Sequence, residues 1–263
     1  MALEVIRHDD VLRLRMSSAG SRAVGMDVSS YVIRGLMVDT GFHRARAELL
    51  AAVRAHHVRG AIVTHWHEDH AGNLQMLVDH GLPISMRADT ETTVRTRPAI
   101  QLYRRVVWGH PPAVTSAVRA FDDHGLELIH TPGHSSDHQV VWDGETGTVF
   151  SGDLWLGVRA RILHSTEDPY QIIESLRIVR AFSPERMFDA HRGFVSNATQ
   201  AIDEKIDWLS EMLATMARDV RAGMSDREIV RRRLGGEEPA AYVSRGDYSR
   251  RNLVKAVRRR IAG

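Results

Sequence analysis

Short apolar runs separated by polar turns predict a strand-rich first third of the chain. In Val11-Leu-Arg-Leu-Arg-Met16 the apolar residues partly alternate with arginine, as in a half-buried strand. Arg34-Gly35 lies between two apolar runs and predicts a hairpin. The pattern predicts strands at 3–7, 11–16, 30–33, 36–38 and 61–64, and helices at 43–57 and 72–80.

The second half of the chain alternates strands with helices and ends in helices alone. Apolar residues recur every three or four positions along 197–220, which predicts one long amphipathic helix. Further strands are predicted at 126–130, 139–142, 148–151 and 186–189, and a further helix at 168–181. This order indicates an α/β protein with two sheets covered by helices. Residues 1–200 are predicted as the main domain, and 201–263 as a purely helical C-terminal extension packed on it.

Composition narrows the class of protein. The 263 residues are 43% hydrophobic and 26% charged, and no stretch approaches the roughly 20 apolar residues of a membrane helix. The N-terminus becomes charged too early for a secretory signal, so a cytoplasmic protein without a membrane partner is expected. The chain has no cysteine, which excludes disulfides, thiolate metal ligands and cysteine nucleophiles. The sequence leaves the oligomeric state open.

The run Thr64-His-Trp-His-Glu-Asp-His-Ala-Gly-Asn73 places three histidines and two acidic residues directly after an apolar run. His65 and His67 fall on the same side of an extended chain, and the following turn can bring Asp69 and His70 to them. Imidazole and carboxylate groups suit Zn²⁺ and similar metals. These ligands are too many for one open catalytic zinc, so two metals are predicted.

Three further strand ends each carry one residue of the metal-ligand type beside a small residue. His134 and Asp153 each follow a glycine, and His191 follows an alanine. Small neighbours let the backbone bend and leave room for metals and substrate. With the first run, these residues amount to five histidines and two aspartates, which is enough for two metal sites.

In order and content, these motifs resemble those of the metallo-β-lactamase-fold hydrolases. They are Val38-Asp-Thr-Gly41, His-x-His-x-Asp-His at 65–70, Gly133-His-Ser135, Ser151-Gly-Asp153 and Ala190-His191, spread from about residue 25 to about residue 195. Each motif alone is weak, but five in this order are highly specific. The resemblance implies a four-layer αββα sandwich with the site at the edge of the two sheets.

The resemblance also implies a role for each site residue. It assigns His65, His67 and His134 to one metal and Asp69, His70 and His191 to the other, with Asp153 bridging them. Two zinc ions per chain are expected, with manganese or iron as alternatives. A pair of cations about 3.5–4 Å apart lowers the pKa of a bridging water, which can then attack a carbonyl or phosphoryl centre as hydroxide.

Three residues are expected to assist the metal ligands. Asp39 resembles the aspartate that supports the metal loop of this family through hydrogen bonds. Asp69 is a candidate to orient the nucleophile, and His138 is a candidate for proton handling or for structural support. Candidates for the substrate pocket are Trp66, Tyr103, Trp108, Trp155, Arg159, Arg161 and His164, with core packing or surface charge as the alternative for each.

Sequence details separate the branches of the family. One β-lactamase branch needs a cysteine ligand and another lacks the bridging aspartate, so β-lactam hydrolysis is expected only as a side activity. The favoured function is hydrolysis of a small-molecule ester, thioester or lactone, in the neighbourhood of glyoxalase II, lactonases and RNase Z. The alternative is an endoribonuclease for single-stranded RNA, whose C-terminal arginines would hold phosphates. A metal site that only stabilises the fold is a third interpretation. Basic residues are few near the motifs, which disfavours a nucleic acid partner.

Overall fold

The computed structural model describes residues 2–121 and 125–263, which form two β-sheets packed face to face. The first sheet has six strands in chain order: β1 (Ala2–His8), β2 (Val11–Ser17), β3 (Val28–Ile33), β4 (Leu36–Val38), β5 (Gly60–Ile62) and β6 (Ile84–Ser85). Strands β1 to β4 are antiparallel neighbours, whereas β4, β5 and β6 run parallel because helices connect them.

The second sheet is smaller and also mixes strand directions. The remaining strands are β7 (Glu127–His130), β8 (Gln139–Asp143), β9 (Thr148–Gly152), β10 (Leu163–His164), β11 (Arg186–Asp189), β12 (Gly193–Ser196) and β13 (Tyr248–Ser249). The order in the sheet is β12-β11-β9-β8-β7, with β11 parallel to β9 and the other pairs antiparallel. Strands β10 and β13 form a separate two-stranded ribbon.

Helices cover the outer face of each sheet. They are α1 (Ala19–Ala23), α2 (Arg46–Ala55), α3 (Leu74–Asp79), α4 (Ala88–Thr96), α5 (Leu102–Val107), α6 (Pro169–Ala181), α7 (Ala198–Arg221), α8 (Asp226–Leu234), α9 (Pro239–Val243) and α10 (Arg251–Ala262). Buried residues of α2 and α3 pack on the first sheet, and those of α6, α7, α8 and α10 pack on the second. The layers are therefore helix, sheet, sheet, helix.

A third apolar cluster joins the two sheets. Tyr31 of the first sheet packs against Phe150 and Phe188 of the second, with ring centroids 5.6 and 5.2 Å away. All three side chains are at most 2% exposed. Because alternate residues of a strand point to opposite faces, each sheet supplies one set of residues to this central layer and another to its helices.

The predicted αββα sandwich is confirmed, with differences in detail. The last sixty residues are not purely helical, because β13 pairs with β10 of the main fold. Strand β12 follows β11 through a tight turn that the sequence pattern did not reveal. The predicted division of the chain at residue 200 stays a prediction. Helix α7 begins two residues before this point, and the apolar face of α7 belongs to the cluster on the second sheet.

Replacement of Phe150 by alanine tests the importance of the central layer. We expect Phe150→Ala to lower the free energy of unfolding by about 3–5 kcal/mol, since the ring is fully buried and leaves a cavity. Urea denaturation in the presence of a chelator measures this without a contribution from bound metal. Phe182→Ala is the control, because that ring is 36% exposed; equal losses in both variants would contradict the assignment of Phe150 to the core.

Candidate metal centre

The candidate site lies where parallel strands end. Asp39 follows β4 and His65 lies three residues after β5, and these two strands are parallel neighbours of the first sheet. Asp153 follows β9 and His191 lies two residues after β11, which are parallel neighbours of the second sheet. Carboxyl ends of parallel strands meet at one edge of a sheet, so the two sheets together bring these loops to one edge of the sandwich.

Seven buried or nearly buried side chains meet there in two groups. The first group is His65, His67, His134 and Asp153, and the second is Asp69, His70 and His191; within each group the potential donor atoms lie within 4.8 Å of one another. His67 Nδ1 lies 2.9 Å from His65 Nε2 and 3.0 Å from His134 Nε2. Ligands of a tetrahedral zinc are about 3.3 Å apart, so this spacing is of the right size for one metal ion.

Asp153 lies between the two groups. One carboxylate oxygen, Oδ2, is 3.3 Å from His134 Nε2. The other, Oδ1, is 3.2 Å from His70 Nε2 and 3.3 Å from His191 Nε2. Asp69 Oδ2 completes the second group at 3.5 Å from His191 Nε2. The two oxygens of Asp153 thus face different groups.

In four of the histidines, the ring nitrogen that points away from the cavity contacts another group of the protein. His65 Nδ1 contacts Thr64 Oγ1 at 3.0 Å, His70 Nδ1 contacts Asp39 Oδ2 at 2.7 Å, His134 Nδ1 contacts Glu167 Oε1 at 2.5 Å, and His191 Nδ1 contacts the carbonyl oxygen of Asp27 at 2.6 Å. Such contacts fix ring orientation and are typical of histidines that bind metals. Their Nε2 atoms face the cavity.

Asp39 also holds the loop that carries the histidines. Its Oδ1 accepts hydrogen bonds from the backbone nitrogen and the hydroxyl of Thr64, at 2.8 and 2.9 Å. The same carboxylate contacts His70. It therefore makes the loop-supporting contacts that the sequence led us to expect of it, and it belongs to neither donor group.

The electrostatics of the cavity favour positive charge. Burial lowers the pKa of His65 and His67 well below the usual histidine value, so both rings are neutral and can offer a lone pair. Burial opposes protonation of His191 as well, but the carboxylate of Asp153 outweighs it and raises that pKa to about 9. The pKa of Asp153 stays well below its usual value despite burial, because His70 and His191 lie beside it.

These features fit metal ions. Among the described residues, neither His70 Nε2 nor Asp153 Oδ1 makes a hydrogen bond, although both atoms are buried. Unsatisfied buried polar atoms are rare and indicate a missing partner. Imidazole and carboxylate groups are the donors that zinc and similar divalent cations prefer. The two groups could therefore hold metal ions.

His138 supports the loop of Asp153 instead of facing the cavity. Its Nε2 accepts a hydrogen bond from the Asp153 backbone nitrogen at 3.1 Å, so its proton is on Nδ1, which donates to Thr131 Oγ1 at 2.9 Å. Burial lowers the pKa of His138 to about 3 and keeps the ring neutral. These contacts favour structural support over proton handling as the role of His138. Gly152 has φ +50°, and a Cβ there would lie 2.7 Å from His138 Nε2.

The substrate-pocket candidates lie in different surroundings. Trp66 and Trp108 are beside the site, with ring centroids 4.8 Å from His67 and 6.1 Å from His191. Trp155 instead packs in the cluster on the second sheet and donates to the carbonyl oxygen of Ala201. Arg159 and Arg161 are exposed. Their roles in substrate binding stay predictions.

His164 and Tyr103 meet a tyrosine that the sequence did not indicate. His164 is buried, and its ring centroid is 4.9 Å from that of Tyr248 in β13. Tyr103 in α5 lies 6.0 Å from the same ring. Burial raises the pKa of the Tyr248 hydroxyl well above its usual value, and the charges of Glu167 and Asp69 add to this. Tyr248 is therefore a neutral phenol on which the charges of Asp69 and Glu167 act.

Two other supporting residues were also missed at the level of sequence. Glu167 contacts His134 and accepts a hydrogen bond from the backbone nitrogen of His164 at 2.7 Å. Asp137 accepts from the backbone nitrogen of Trp66 and from the hydroxyl of Ser135, at 2.9 and 2.6 Å. Each couples chain segments far apart in sequence, so no local spacing marks it.

Comparison with known proteins agrees with the fold. The family model of the metallo-beta-lactamase superfamily matches residues 23–191. This span contains all seven residues of the two donor groups. The chain therefore belongs to the metallo-beta-lactamase superfamily, whose members are generally hydrolases.

Individual relatives are distant. A beta-lactamase-like protein 2 homolog of Caenorhabditis elegans is 26% identical over 217 residues, which are 73% of this chain and 68% of that protein. An atrochrysone carboxyl ACP thioesterase of Aspergillus fumigatus is 30% identical over 184 residues, 65% of this chain and 51% of that protein. The chain thus spans about half the length of the thioesterase.

Solved structures support the fold. A metallo-beta-lactamase family protein from Thermus thermophilus superimposes with a TM-score of 0.65 at 16% identity and covers 95% of this chain and 91% of its own. A metallo-beta-lactamase from Pontibacter korlensis gives a TM-score of 0.62 at 17% identity, with 80% and 99% covered. At these identities the likeness concerns the fold alone.

Glu167→Gln tests whether the outward contact of His134 matters for metal binding. We expect the apparent metal affinity to fall by about 10-fold to 100-fold, as is usual when a carboxylate partner of a metal-binding histidine is lost. Titration of the metal-free protein with Zn²⁺ and a competing chromophoric chelator measures this. Glu174→Gln on the exposed face of α6 is the matched control. Unchanged affinity in Glu167→Gln would show that the contact does not tune the ligand.

Proposed function

We propose that the chain is a dinuclear metal-dependent hydrolase that cleaves a small-molecule ester, thioester or lactone at its carbonyl group. His65, His67 and His134 would hold one ion, and Asp69, His70 and His191 would hold the other. Asp153 would serve both, because its two oxygens face different groups. The observation that carries the proposal is the position of Asp153, whose two oxygens face different histidine groups. A single ion would leave one group of buried donors without a partner.

The donor set accounts for the choice of metal and for the reaction class. Imidazoles and carboxylates suit Zn²⁺, and Mn²⁺ or Fe²⁺ fit the same atoms. When bound, a pair of such cations supplies a water of lowered pKa and polarises the substrate oxygen. The chain orients the ligand rings through Asp39 and Glu167 and excludes bulk water by burying them. Asp69 is proposed to orient the attacking water through Oδ1, since its Oδ2 belongs to the second donor group.

Two observations support a carbonyl substrate: the name of a relative, and the ion pair of an arginine beside the histidine run. The similar Aspergillus fumigatus protein is named as a thioesterase, which makes thioesters the first substrates to try. Arg104 lies over the ring of Trp66 in the histidine run, and both its Nε and Nη2 donate to the carboxylate of Glu68 at 2.6 Å. Both side chains are buried, so this guanidinium is committed to an ion pair and cannot bind a phosphate.

The C-terminal arginines also support a small molecule over RNA. Arg250, Arg258 and Arg233 pair with Glu238, Asp226 and Asp219. Arg260 lies over the ring of Tyr170. Phosphate binding needs free cations along a groove, and these pairs reduce the number available. The endoribonuclease remains the alternative that the substrate test below includes.

Removal of one ligand from the proposed centre should lower metal content and activity together. We expect His67→Ala and Asp153→Ala each to lose at least one metal ion per chain and to reduce hydrolysis by about 100-fold or more, with the fold retained. Metal content by elemental analysis, circular dichroism and the hydrolysis rate are measured on the same preparations. His110→Ala, which changes an exposed histidine, is the control. Full activity in either ligand variant would refute the proposal.

Proton release in weak buffer identifies the bond that is cleaved. The substrates are acyl thioesters, simple esters, lactones, β-lactams and a short single-stranded RNA, each with and without chelator. We expect acid from a carbonyl substrate, abolished by the chelator and restored by Zn²⁺, because the cations supply the reactive water. Acid from RNA alone would instead establish the nuclease, and β-lactams as the best substrates would contradict the expected side activity.

A further inference from the structure

The segment after Asp153 has an unusual backbone that the fold holds from several sides. Leu156 has φ +51°, a left-handed conformation that is unfavourable for a leucine. Its backbone nitrogen donates to Asp189 Oδ2 at 2.8 Å, and its carbonyl oxygen accepts from Arg192 Nε at 3.3 Å. A strained residue of this kind persists only where its surroundings over-determine it.

Asp189 ties this segment to the loop of His191. Its Oδ1 accepts from the backbone nitrogens of His191 and Arg192, at 3.0 and 2.8 Å. Its Oδ2 accepts from Leu156 and, at 3.2 Å, from the hydroxyl of Ser151. Four donors use the acceptor capacity of a carboxylate. Asp189 is fully buried and belongs to neither donor group, and its side-chain hydrogen bonds go to these two loops and to Ser151.

Lys205 holds the same segment from helix α7. Its ammonium donates to the carbonyl oxygens of Trp155 and Gly157, on either side of Leu156. The side chain is 4% exposed, and burial lowers its pKa to about 8. Burying an ammonium group is costly unless it is paired or hydrogen-bonded. The side chain is buried in the apolar packing between α7 and the second sheet. This burial is therefore offset by the hydrogen bonds that the ammonium donates to the carbonyl oxygens of Trp155 and Gly157.

A small cavity connects Lys205 with the metal centre. It measures about 30 Å³ and is lined by Asp153, Glu167 and Lys205 together with apolar side chains of α6, α7 and α10. Asp153, at one wall, is three residues before Leu156. A change in the backbone from Leu154 to Gly157 would therefore turn the carboxylate of Asp153 relative to the two histidine groups.

We propose that Lys205 and Asp189 are positioning residues of the metal centre, which fix the backbone around Leu156 so that each oxygen of Asp153 faces its own group. This inference rests on the proposed function, because it takes Asp153 as the shared ligand. Lys205 holds the segment from the helix layer, and Asp189 holds it from the sheet. Neither residue touches the reacting atoms.

Cobalt binding tests the proposal without relying on activity. The metal-free protein is titrated with Co²⁺, and the visible absorption bands report the affinity and the geometry of each ion. We expect Lys205→Met and Asp189→Asn each to weaken binding by about 10-fold to 100-fold and to alter the bands, as for other residues that orient metal ligands. Lys255→Met is the matched control, because Lys255 is the other lysine and is exposed.

A second substitution distinguishes positioning from a general loss of stability. Leu156→Gly removes the conformational penalty that Lys205 and Asp189 counteract. The double variant Leu156→Gly/Lys205→Met should therefore bind cobalt about fivefold more tightly, or better, than Lys205→Met alone. Thermal melts with chelator present verify that the variants fold. Asp189→Asn, paired with the same glycine, takes the place of Lys205→Met if the latter does not fold.

The outcomes separate this inference from the proposed function. A wild-type protein that binds no cobalt would overturn the dinuclear site itself. Wild-type binding of two ions with unchanged affinity in Lys205→Met and Asp189→Asn would overturn only the positioning role. If Lys205→Met weakens binding and Leu156→Gly does not restore it, Lys205 does not act through the backbone conformation of Leu156.

Discussion

The burial of seven metal-type side chains in one cavity is the constraint on which the rest of the structure depends. Buried polar atoms need partners, and imidazoles packed together cannot satisfy one another completely. The fold meets this need from outside the cavity. It brings a hydroxyl, two carboxylates and a backbone carbonyl, from four separate segments, to the outward nitrogens of four histidines. The inward atoms are then left for cations.

Each sheet uses one aspartate at the end of a strand to organise its half of the site. Asp39 follows β4 and holds the loop after its parallel neighbour β5. Asp189 ends β11 and holds the loop after its parallel neighbour β9. In both cases a buried carboxylate accepts backbone N–H groups where a strand stops, so the loops have fixed shapes before any metal arrives. The two sheets thus offer similar solutions to the same problem.

The positions of most strands could be predicted from sequence because they depend on local patterns. The same patterns pointed to the seven residues that the structure brings together, whose binding of metal stays a prediction. The histidine run and the residues after Gly133, Gly152 and Ala190 stand beside predicted strand ends, where backbone direction is easy to infer. Glu167 and Asp137 could not be predicted, since their partners lie 33 and 71 residues away. The two-residue strands of the β10–β13 ribbon are too short for a periodic signal, and this ribbon pairs Tyr248 with His164.

The Glu68–Arg104 ion pair joins helix α5 to the histidine run. Glu68 lies inside the histidine run and is fully buried, whereas Arg104 comes from α5, so their bidentate contact fixes this helix against the run. A buried ion pair adds little net stability, but loss of one partner leaves an uncompensated charge. Ser18 and Arg44 also donate to backbone carbonyl oxygens of this helix, whereas the side chains of Leu102 and Val106 are exposed. Substitutions at these exposed positions are therefore expected to leave the buried ion pair and the histidine run undisturbed.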